Sequence, residues 1–162
     1  MTEQQRVQKT TEVDQQVAAP TMQLPDAAST AAVVLSQAME FCARKMRMSA
    51  PSSAIEAIKQ GKACACNYCN YSIAKQVAQA LGALDDNVQA VYVCELDATP
   101  EDVCFGESAQ GSPIHMIVWS TRKTNALEAL VTGLDRALAQ QFSDLMGGAT
   151  CAHLIDAQVV HL

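Results

Sequence analysis

The chain has no apolar run long enough to cross a bilayer, which takes about 20 residues. Its apolar stretches, such as Ala31 to Leu35, stop far short of that. Met1 to Asp14 is polar and is followed by no apolar h-region, so no secretory signal is expected. Basic residues are scarce: 11 Lys and Arg face 17 Asp and Glu, for a net charge of −6. Nucleic-acid phosphates and anionic bilayers both demand a basic face, so neither is an expected partner. Neither G-x-x-x-x-G-K nor G-x-G-x-x-G occurs, which removes the phosphate loops. The zinc-deaminase pattern, H-x-E followed by P-C-x-x-C, is also missing, since Met116-Ile117 follows His115 and no proline precedes the CxxC. No internal repeat is visible. The 162 residues are one domain in length, and with 49% apolar residues the body can fold without metal or disulfides.

Cysteine is what the chain does have. It carries seven, and Cys64-Ala65-Cys66-Asn67-Tyr68-Cys69 packs three into six residues. One buried thiol packs as a small hydrophobe, and three together point to chemistry. An unsignalled chain is expected in the cytoplasm, where thiols stay reduced, so ligands or redox groups are expected rather than structural disulfides. Charge is unevenly placed around them. Arg44, Lys45, Arg47, Lys59, Lys62 and Lys75 face the single acid Glu56, while Gln76 to Thr121 carries only acids. Two solvated faces are the plain reading; basic groups beside the cysteines would also favour thiolate.

Residues 1–28, rich in Gln, Thr, Ala and Pro, read as a disordered tail, and 29–162 as a single α+β domain. A first helix starts at Ser29 or Thr30 with Val34, Met39, Cys42 and Met46 on its apolar stripe. Ser53-Ala54-Ile55-Glu56 has the form of a capping box and Gly61 that of a stop, which predicts a helix from Ala54 to Gln60. A cysteine-rich loop over 62–70 follows. Asn67 or Asn70 then caps a third helix that buries Ile73, Val77, Ala80, Leu81 and Leu84. Val88 to Leu96 reads as a strand, with Val91 and Val93 on one face and Tyr92 and Cys94 on the other. After a long connection, Ile114 to Thr121 is a second strand, apolar on both faces and so expected to be central and covered. Thr124 or Asn125 caps the strongest helix, which Gly147-Gly148 stops, and His153 to Leu162 is a third strand. The expected fold is three N-terminal helices and a small mixed three-stranded sheet in β-β-α-β order, with the helices packed on the sheet.

This order brings Cys64, Cys66, Cys69, Cys94, Cys104, His115, Cys151 and His153 toward one end of the domain. The leading expectation is a small metal-binding protein, zinc or iron–sulfur, acting as sensor, carrier or assembly component. Cys64, Cys66 and Cys69 would supply one loop of ligands, completed by Cys94, Cys104, Cys151 or His153. A thiol–disulfide switch at Cys66 and Cys69 is the first alternative, with Lys62 and a helix N-terminus lowering a thiol pKa. A non-catalytic structural or interaction module is the second, and a protein partner or homo-oligomer is expected. Cys104 with His115 could pair as nucleophile and base, although no flanking signature backs the pair. His161 reads as a surface or edge residue.

Overall fold

Gly61 decides where the cysteines lie. A computed structural model describes residues 24–94, 113–148 and 151–161. Its elements are α1 (Leu24–Lys45), α2 (Pro51–Lys59), α3 (Ala63–Leu84), β1 (Val88–Val93), β2 (Ile114–Ser120), α4 (Asn125–Leu145) and β3 (Ile155–His161). Gly61 sits at a φ of 73°, in the left-handed region that suits glycine. Its amide donates to the Ile58 carbonyl at 2.9 Å, and the Lys62 amide donates to Ala57 at 3.1 Å. That pair of bonds closes α2 and sends the chain straight into α3. The expected loop over 62–70 is therefore helix. Nothing in Ala63–Cys69 breaks a helix, and burial of Ala65, Cys66, Tyr68 and Cys69 outweighs the mild capping preference of Asn67 and Asn70.

Two other helix starts also lie earlier than expected. α2 begins at Pro51, whose fixed φ suits a first helical position, so Ala50 takes the cap in place of Ser53. α1 begins at Leu24, with Pro25 in the first turn, where a missing N–H breaks no intrahelical bond. Residues 24–28, expected in the tail, are thus helical, while 1–23 lie outside the described residues. Leu84, expected in the α3 stripe, is exposed at the helix end.

α4 is built as its sequence signals: the Thr124 hydroxyl accepts from the Leu127 amide at 3.1 Å, and Gly147 and Gly148 end it at φ of 81° and 88°. Its buried stripe is Leu127, Leu130, Val131, Leu134, Leu138 and Ala139. β3 hangs from this helix. Oδ1 of Asp135 accepts from the amides of Leu154 (2.9 Å) and Ile155 (3.0 Å), where the chain enters the strand.

The sheet is mixed, in the order β1-β2-β3, with β1 antiparallel and β2 parallel to its next neighbour. A bulge between Val88 and Ala90 resets the alternation, so that Val88, Val91 and Val93 all pack against the core. All the described helices lie on one face. α3 packs on β1 and α4 on β3, while α1 crosses both as a second tier, with α2 against α1 and α3. Ile114, Met116 and Val118 of β2 are buried beneath them. The central strand was expected to be covered on both faces, and only one is. His115 and Ile117 stay half-buried and Trp119 exposed, because no described helix crosses the second face. Among the described residues, no helix is long and apolar enough to cross a membrane.

Candidate functional site

On α3, Cys66 and Cys69 are three residues apart, on one helix face, and both are buried. They face Cys42 of α1, whose thiol donates to the Ala65 carbonyl at 3.4 Å. Burial pushes the Cys42 thiol up to about 11, with the Cys66 sulfur adding to the rise. Cys69 is also raised, first by burial and then by the sulfurs of Cys42 and Cys66. Cys42 and Cys69 are therefore held as thiols, and a thiol that stays protonated is a poor nucleophile and a poor ligand. Cys64 is half-buried against the core.

Cys151 and His153 lie at the start of β3, on the helix side of the sheet. Nδ1 of His153 is 2.7 Å from Oδ2 of Asp135, and the Cys151 thiol donates to the His153 carbonyl at 3.2 Å. Burial and then the Asp135 carboxylate raise the Cys151 pKa, against a smaller lowering by the backbone at His153. Asp135 receives two strand amides besides the histidine, so this group clamps β3 to α4.

The uncovered face carries a third arrangement. Val91, Tyr92 and Val93 pair with Val118, Ile117 and Met116, and continuing that register sets Cys94 opposite His115. The Cys94 amide donates to the His115 carbonyl at 2.8 Å. On the other side of β2, His115 pairs with Asp156, and Nδ1 of His115 is 3.0 Å from Oδ2 of Asp156. Directly opposed residues share a face, with Cβ atoms about 5 Å apart. Cys94, which directly follows β1, thus continues one row with His115 of β2 and Asp156 of β3.

The sheet end collects Cys94, His115, Cys151 and His153, but on opposite faces: His115 bonds Asp156 outside and His153 bonds Asp135 beneath. Cys66 and Cys69 stand a tier deeper, between α3 and α1. Cys104 lies outside the described residues, and His161 is exposed at the end of β3. Among the described residues, no three His, Cys, Asp or Glu side chains are arranged to hold a metal ion. A groove of about 530 Å³ between α1, α2 and α4 is lined by Leu35, Met39, Ile55 and Leu145 among others, and by no cysteine or histidine. No family model, curated protein or solved structure matches the chain.

Sequence reasoning overlooked Asp156 and Asp135, the partners of the two histidines. Alternation along β3 would have set Asp156 outward. Its meeting with His115 depends on the β2–β3 register, which no local pattern encodes.

The buried thiols make stability pH-dependent. Cys42 and Cys69 hold their protons more tightly folded than unfolded. Their contribution is whole below the ordinary thiol value of 9.0; that of Cys42 is lost as pH rises toward 11, and that of Cys69, raised further, goes on falling beyond it. The slope in that window is up to about 1.4 kcal/mol per pH unit for each thiol. Urea midpoints should fall between about pH 8 and about pH 10, and Cys69→Ala should lessen the fall. An equal fall in the variant would remove Cys69 as a cause.

Proposed function

We propose that the chain is a thiol-dependent acyl-transfer or hydrolytic protein. Cys94 is the nucleophile, His115 its base, and Asp156 the positioning residue that orients the base. One observation carries the reading: the His115–Asp156 hydrogen bond lies in the row that also holds Cys94. An exposed pair of this kind adds about 0–1 kcal/mol to stability, so holding the fold together does not account for it. With Nδ1 held by the carboxylate, Nε2 is the free position of the ring.

The chemistry follows from that order. The Cys94 thiol passes its proton to Nε2 as sulfur bonds the acyl carbon. The imidazolium returns the proton to the departing oxygen, sulfur or nitrogen. Water or a second acceptor then attacks the thioester, giving its proton to His115, and Cys94 leaves as the thiol. The His115 and Asp156 side chains are 43% and 65% exposed, so an acyl group reaches the row directly from solvent. The reading needs a compartment that keeps Cys94 reduced, and on that ground we place the protein in the cytoplasm.

A metal or dithiol-switch reading centred on Cys66 and Cys69 ranks second. It is supported by the approach of Cys42 to both sulfurs across α1 and α3. Loading such a site would have to strip from Cys69 a proton that burial holds in place.

Two measurements separate these readings. With p-nitrophenyl acetate, the full chain should form an acetyl thioester at Cys94, located by mass spectrometry of a digest. His115→Ala should slow its formation by about a hundredfold or more. Acylation unchanged in that variant, or found only at other cysteines, contradicts the proposal. Protein purified anaerobically should carry zinc, iron and sulfide well below one equivalent; a full equivalent would bring the metal reading to the front.

A further inference from the structure

The apolar floor beside Cys94 names the substrate class. This inference rests on the acyl-transfer reading and deepens it. Behind the row of Cys94, His115 and Asp156, the same face carries Tyr92, Ile117 and Gln158, and behind those Ala90, Trp119 and Val160. Five of these six side chains are apolar or aromatic, and none is charged. Tyr92, Trp119 and Val160 are 52%, 37% and 37% exposed, three of the five most exposed large apolar side chains among the described residues. Tyr92 and Trp119 stand together, ring centroids 6.5 Å apart. On either side of Trp119, Ala90 and Val160 are short, so the indole stands above its row.

Distance and polarity point the same way. Alternate residues of a strand are about 6.6 Å apart, so the Trp119 row lies about 13 Å from the reactive row. An extended medium-length acyl chain spans that distance. Every charged group of the row is at one end, where a carbonyl reacts, and the floor leading away from it rewards only apolar burial.

We propose that the acyl donor carries an unbranched apolar chain, its carbonyl at Cys94 and its chain lying along Tyr92, Ile117 and Trp119. Recognition is then by length: each added methylene covers more of this floor until the Trp119 row is reached.

The test is the rate at which Cys94 of the full chain is labelled by maleimides bearing N-methyl, N-butyl and N-octyl groups, with the site read by mass spectrometry. Labelling at Cys94 should quicken about tenfold from methyl to octyl. Trp119→Ser and Tyr92→Ser should each flatten that rise. Both residues are exposed, so both variants should fold. Equal rates along the series, no labelling of Cys94, or a rise that persists in both variants overturns the proposal. The same series in His115→Ala keeps the two claims apart. A chain-length effect without dependence on His115 sinks the catalytic reading alone, and dependence on His115 without a chain-length effect sinks the apolar substrate alone.

Discussion

One-sided coverage of the sheet is the constraint on which the rest of this molecule depends. β2 alternates Ile114, Met116 and Val118 with His115, Ile117 and Trp119, and only the first set meets helices. α3 and α4 spend their apolar stripes on that inner face and on α1, so nothing in the described chain is left to cover the outer one. The outer face consequently presents the row of Cys94, His115 and Asp156 and an apolar floor to solvent. Its backbone is held rigid by ladders on both sides of β2. A site carried on strands keeps its geometry better than one carried on loops.

The same layering sorts the cysteines into groups with different chemistry. Cys42, Cys66 and Cys69 are buried between two helices, and burial disfavours the thiolate at Cys42 and Cys69. Cys151 is tied to the His153 carbonyl beside a carboxylate that opposes its ionisation. Among the described cysteines, Cys94 alone stands on the open face with a histidine opposite it. Density of cysteine in the sequence pointed to residues 64–69, whereas the proposed catalytic row is assembled from β2, β3 and the residue that follows β1.

Much of the fold was legible because its signals are local. The Thr124 cap, the Gly147-Gly148 stop, the apolar stripe of α4 and the alternation of Val91, Tyr92 and Val93 in β1 all hold in the structure. The α+β class and the β-β-α-β order followed from them. The start of α3 was misread because Asn67 and Asn70 favour caps locally, while the buried contacts of Cys66 and Cys69 with α1 act from a distance. Coverage of β2 was misread because Ile117 and Trp119 look like core residues when read along one strand. The Cys94–His115–Asp156 row was illegible for a related reason. Its three members are brought together by two registers, one across a long connection and one through a helical crossover.

The central claim is that His115 and Asp156 act on Cys94 as a unit. It is tested most directly by the rate of Cys94 acylation in His115→Ala, Asp156→Ala and the double variant. Residues that work through one another are not additive. Removing Asp156 should slow acylation when His115 is present and change nothing once His115 is gone. Slowing of equal size in both backgrounds, or no slowing in either, would contradict the account.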